Sequence, residues 1–197
     1  LCQEMLAEFE PDRVKLHDSV SWKLDEHIDD VFREFYRCWA NSDVAKVLRP
    51  IHRSLVAQGI CSETYLREEF DWIRTALSEP NRHQYTNAEN TPRTGRTHPL
   101  MADWRAAILQ GLKGWEQKME AVGVIDYLGL TTALLRHDDK ILEKYSNIIV
   151  DEAQDFGTTE LAILRKLVPE APNDLFLCGD IAQHILPKHR LLAQANI

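Results

Sequence analysis

The chain has 197 residues, with 23 Lys and Arg against 31 Asp and Glu for a formal net charge of −8, and 44% hydrophobic and 27% charged residues. These proportions fit a globular protein of one large or two small domains and exclude disordered and collagen-like classes. No apolar run reaches the roughly 18 residues of a membrane span, and Leu1-Cys2-Gln3-Glu4 lacks the basic-then-apolar pattern of a signal peptide. No membrane partner and a cytoplasmic location are therefore expected. Cys2, Cys38, Cys61 and Cys178 are widely separated, with no C-x-x-C pair and no His at zinc-ligand spacing, and read as reduced thiols.

Charge is uneven along the chain. Residues 1–80 carry 10 Lys/Arg against 16 Asp/Glu, 81–146 carry 9 against 8, and 147–197 carry 4 against 7. No segment is basic enough to be a nucleic-acid arm on charge alone, although phosphate contact depends on a local cluster rather than the total. The least acidic stretch holds Arg82, Arg93, Arg96 and Arg105. It is where a phosphate-facing patch is expected.

In chain order, a helix over Leu1–Phe9 and a weak strand over Arg13–Leu16 come first. Ile28, Val31, Phe32, Phe35, Tyr36 and Trp39 then repeat at helical spacing and predict a helix with one wide apolar face. Val44, Val47, Leu48, Ile51 and Leu55 continue after an Asn41-Ser42-Asp43 cap until Gly59. Further helices are predicted from about Glu63 to Pro80, across Trp104–Val122, and from an Asp126 cap towards Arg136. Pro80–Pro99 is polar, rich in proline and aperiodic, longer than most connections between packed helices. Trp39, Trp104 and Trp115 fall on apolar faces and are expected in the core.

The texture changes at Ser146. Ile148-Ile149-Val150 and Asp174–Cys178 read as strands buried on both faces, joined by a helix that Thr158 or Thr159 caps, which makes a βαβ unit of a parallel sheet. Both strands end in acid, at Asp151-Glu152 and at Gly179-Asp180. Ligands of parallel sheets gather outside the carboxyl ends of strands, so the two ends should share a crevice. A rigidly held carboxylate such as Asp151 suits the positioning of hydrated Mg²⁺ against phosphates, and Glu152 beside it could activate a water. Gln183 adds an amide able to sense a γ-phosphate. Turn and N-cap roles are the alternative for each acid taken singly.

Ile148-Ile149-Val150-Asp151-Glu152-Ala153-Gln154-Asp155-Phe156 resembles motif II of the UvrD/Rep group of superfamily 1 helicases, a Walker B strand ending in Asp-Glu-x-Gln-Asp. Leu175-Phe176-Leu177-Cys178-Gly179-Asp180-Ile181-Ala182-Gln183-His184-Ile185 resembles motif III of the same group. Tyr65–Trp72, Arg93-Thr94-Gly95-Arg96 and Trp104-Arg105 are similar to the looser signature of the group's helical insertion. The resemblance implies an α/β fold: a partial RecA-like parallel sheet of the P-loop NTPase type with a large all-helical insertion. Residues 1–22 and 146–197 would belong to the RecA-like part and 23–145 to the insertion. It implies ATP and Mg²⁺ as cofactors, with Asp151 holding the metal and Glu152 as the water-activating base. Gln183 would contact the γ-phosphate, Asp180 would support it, and Gln154 and Asp155 would brace the motifs.

The implied activity is ATP-dependent translocation on single-stranded DNA, for which Arg93 and Arg96 beside Gly95 are candidate phosphate contacts and a solvated loop the alternative. Leu186 stands where many members carry an aromatic, which argues against base stacking there. No glycine precedes a lysine, so the P-loop G-x-x-x-x-G-K-[ST] is absent, as are the later arginine motifs. The expectation is a middle slice of a longer polypeptide, partnered by its own P-loop segment and second RecA-like domain and inactive alone. The other readings are a non-catalytic helicase-like interaction module, or an ATPase subunit of a nuclease or defence complex. His184 and His189 are expected in solvent rather than on a metal.

Overall fold

A computed structural model describes residues 1–17, 22–89, 91–93, 96, 98–180 and 192–197, apart from the side chains of residues 22 and 23. The elements are α1 (Cys2–Ala7), α2 (Pro11–Val14), α3 (Trp22–Trp39), α4 (Asp43–Lys46), α5 (Arg49–Ala57), α6 (Ser62–Ala76), α7 (Ala102–Val122), α8 (Tyr127–Leu135), β1 (Ile148–Val150), α9 (Thr158–Lys166) and β2 (Leu175–Leu177). The fold is mostly helical, with one two-stranded parallel sheet among the described residues.

Local chemistry sets the boundaries. The stripe Ile28, Val31, Phe32 and Phe35 of α3 is buried against Phe70 of α6 and Trp115 of α7, with the Phe32 and Trp115 rings edge-to-face at 5.0 Å. Ser42 caps α4 by accepting the Ala45 N–H at 3.2 Å. The single helix expected over Val44–Leu55 is two, interrupted at Val47-Leu48. Pro50 has no N–H to give a preceding turn and sits in the first turn of α5. Gly123 closes α7 in the left-handed conformation, and the Asp126 carboxylate caps α8 through the Gly129 N–H at 2.8 Å.

Four other expectations are corrected. Arg13–Leu16 is not a strand: Pro11 opens the short α2 and a turn follows it. The cap of α9 is neither threonine but Gly157, whose N–H donates to the Glu160 carboxylate at 2.6 Å. Pro80–Pro99, expected as an aperiodic connection, opens instead with 3-10 turns over Glu79–Thr86 that bury Tyr85. Nor is the sheet covered on both faces. β1 pairs with β2 in the register Ile148↔Leu175, Ile149↔Phe176, Val150↔Leu177. Side chains alternate across a strand, so α9 and its neighbours bury Val150 while the ladder partners Ile149 and Phe176 stay 74% and 62% exposed.

Two apolar cores result. One joins α3, α5, α6 and α7; the other joins α1, α8, α9 and the sheet. Packing changes hands between Val124, which lies on the first core, and Ile125, which is buried in the second. α8, read from sequence as part of the 23–145 insertion, therefore packs with the sheet.

Candidate nucleotide and metal site

The parallel ladder continues past both strands. Cys178 N–H donates to the Val150 carbonyl at 2.9 Å and Ala153 N–H to the Cys178 carbonyl at 2.8 Å, so the two acidic ends are held side by side. Asp151 Oδ1 accepts the Glu152 N–H at 2.9 Å and the Cys178 thiol at 3.3 Å, while Oδ2 accepts no hydrogen bond among the described residues. That bond to Asp151, with burial behind it, pushes the Cys178 thiol pKa up. Glu152 adopts a left-handed backbone, φ 51°, unusual for a residue with a side chain. Asp151, Glu152 and Asp180 are all exposed at this edge.

Gln154 links them. Buried itself, it donates through Nε2 to Glu152 Oε2 and accepts the Asp180 N–H on Oε1 at 3.0 Å. Gly179 makes room for that amide, because a Cβ at this position would lie 2.1 Å from Gln154 Oε1. Asp155 directs a buried oxygen that has no hydrogen-bond partner among the described residues. No group of three His, Cys, Asp or Glu able to hold a metal is found among them. Mg²⁺ asks for less from protein, since one or two carboxylates suffice when phosphates and water complete the shell. The open oxygen of Asp151 fits that role. Gln183, Leu186, His184 and His189 lie outside the described residues.

The UvrD/REP helicase N-terminal domain family matches residues 1–187. The chain belongs to that family. No curated protein and no solved structure matches it. Within the UvrD/REP frame, sequence reasoning had missed the Cys178 thiol on Asp151 and the need for glycine at 179. The only signal for the second is a Gly between a strand and an Asp.

Arg93 and Arg96 are not free to form the expected phosphate patch, and the four arginines of the least acidic stretch are all engaged within the chain. Arg93 is buried, donating to Glu69 Oε2 at 2.6 Å, to the Tyr65 hydroxyl at 2.8 Å and to the His98 carbonyl. Arg96 reaches Glu69 at 2.9 Å and Glu68 at 2.6 Å and lies over the Tyr65 ring. Arg82 pairs with Glu116, and Arg105 donates to the carbonyls of Tyr85, Thr91 and Leu100. The reason is Glu69: a carboxylate with 0% exposure cannot stay ionised unless cations come to it. Burial alone raises its pKa, and Arg93, Tyr85 and Arg96 bring it below the ordinary value.

Proposed function

We propose that this chain is the nucleotide-facing part of an ATP-driven motor on single-stranded DNA. The observation that carries the reading is the pair of acid-tipped parallel strands clipped together by Gln154. Asp151 would hold Mg²⁺, which when bound supplies neutralising charge to the phosphates. Glu152, exposed and oriented by the Gln154 amide, takes the proton of the attacking water. Gln183 meets the γ-phosphate and Asp180 supports that loop, as the resemblance implies. A P-loop segment and a second RecA-like domain complete the nucleotide site. The open Ile149–Phe176 face, and a buried oxygen of Asp155 that has no partner among the described residues, support a larger RecA-like sheet packing here.

The test is DNA-stimulated ATP hydrolysis by a polypeptide carrying this chain together with its P-loop segment. Glu152→Gln should keep nucleotide and Mg²⁺ binding and lose turnover by roughly 10²–10⁴-fold, the usual worth of a positioned general base. Asp151→Asn should weaken the Mg²⁺-nucleotide complex itself. The 197-residue chain alone should not turn over ATP. Equal loss of nucleotide binding in both variants would show the roles to be misassigned, and no turnover in the wild type would favour a non-catalytic module.

A further inference from the structure

The corner between α3 and α6, closed by α4 and α5, holds a cleft of about 370 Å³, within the roughly 300–1,000 Å³ typical of small-ligand sites. Tyr36, Trp39 and Leu55 form part of its walls, and Asn41, Arg49 and His52 stand exposed at its rim. No carboxylate lines it among the described residues. Trp39 is only half buried. It lies against α7 because Gly111 lacks a side chain there: a Cβ would come within 2.8 Å of the indole.

The charge around this corner runs against the rest of the chain. Residues 33–66, which supply all of the lining but Ile108, carry five Lys/Arg and three acids, in a protein of net charge −8. All three acids are already committed, Glu34 to Lys118, Asp43 to Lys46 and Glu63 to Arg33, which also pairs with Asp30. Arg37, Arg49 and Arg53 are exposed and form no ion pair among the described residues. Arg49 and Arg53, four apart on α5, lie on one face of that helix.

We propose that this cleft receives a base of single-stranded nucleic acid, with the flanking phosphates on Arg49 and Arg53. The inference rests on the motor reading and locates its strand. Aromatic walls offer a sequence-tolerant stacking surface, and unpaired cations beside them track the backbone. An apolar peptide would fill the walls and leave the cations unmatched. The stretch from Arg82 to Arg105 cannot do this work, because its guanidinium groups are bound within the chain.

The experiment measures fluorescence anisotropy of the full 197-residue chain with a short fluorescein-labelled oligothymidylate, and with an abasic oligomer of equal length, across a salt series. The double variant Arg49→Ala/Arg53→Ala changes two exposed, unpaired side chains, and a thermal melt verifies that it folds. Its log–log salt slope should fall by roughly 1.4, about 0.7 for each lost phosphate contact on a single strand. On the wild type the abasic oligomer should bind roughly fivefold or more weakly than oligothymidylate, the loss of one stacked base. Trp39→Leu should reduce that difference.

An unchanged slope in the arginine variant, or equal affinity for both oligomers, overturns the cleft while leaving the motor reading standing, since the strand then lies elsewhere. Absence of binding by the wild-type chain also overturns it. The motor reading is judged separately, on DNA-stimulated ATP hydrolysis.

Discussion

Removal of Arg93 is expected to destabilise the helical core around Glu69 rather than to weaken DNA binding. Glu69 is fully buried and accepts from Arg93 Nη2 at 2.6 Å, from Arg93 Nε, from Arg96 Nε at 2.9 Å and from the Tyr85 hydroxyl. Arg93→Ala takes away two of these four donors and leaves the Tyr65 hydroxyl and His98 carbonyl without that partner. Stripping one partner from a buried ion pair costs about 3–5 kcal/mol. Because Arg96 and Tyr85 still reach Glu69, the lower end, about 3 kcal/mol, is expected. For a chain of this size each kcal/mol moves the melting midpoint by about 2–4 °C, so the drop should be at least about 6 °C by circular dichroism. Glu69→Gln should be similarly costly, because its amide meets the same arginines without a charge. The double variant should cost less than the two singles together, by about 0.5–3 kcal/mol of coupling. A fall below about 2 °C in Arg93→Ala, or additivity within about 0.5 kcal/mol, would refute the reasoning.

Gly179→Ala should destabilise by about 1–3 kcal/mol in urea unfolding, as an overpacked contact does, with part of the loss recovered by adding Gln154→Ala. Full recovery is not expected, since the new Cβ also lies 3.0 Å from the Ala153 nitrogen. Gly157→Ala should cost a similar amount, about 1–3 kcal/mol, by driving α9 away from Thr75, whose carbonyl would be 2.9 Å from the new Cβ. The pKa of Glu69 is lower in the folded than in the unfolded chain, so its stabilisation is complete above the unfolded value of about 4.3 and is lost as pH falls through the folded one. Melting midpoints followed down to acid pH should therefore fall less steeply in Glu69→Gln than in the wild type.

Periodicity made most of the helices legible, because a wide apolar face leaves a mark every three or four residues. α3, α6 and α7 end within a turn or so of where their stripes end. The strand-end acids were legible because the apolar runs before them, Ile148-Ile149-Val150 and Leu175-Phe176-Leu177-Cys178, are short and lack a helical period. Period and composition do not encode which face of a strand finds a cover. Ile149 and Phe176 read as core residues and stand in solvent. The arginines failed for a related reason: Glu69 lies in a helical stretch that looks like an ordinary charged face, and nothing local marks it as buried. Its cations arrive from 24 and 27 residues downstream. Nothing local singles out Gly157 and Gly179, yet each marks a place where another segment comes close.

α6 is the element that ties the two halves of the chain together. Near its C-terminus, Arg74 makes a two-pronged ion pair with Asp126, the cap of α8, and the Thr159 hydroxyl of α9 donates to the carbonyls of Arg74 and Thr75 at 3.2 Å each. Towards its N-terminus, Ser62, Tyr65 and Leu66 wall the cleft. Fifteen residues of α-helix span about 22 Å, so one rigid rod reaches from the helix behind the acid-tipped strands to the proposed base site. Arg74 has no exposed side-chain surface, and Asp126 is held below the usual carboxylate range by it despite burial. A joint of this kind is costly to open. A shift of α9 against the sheet must therefore either carry α6 with it or break the Arg74 and Thr159 contacts, and their burial favours the first.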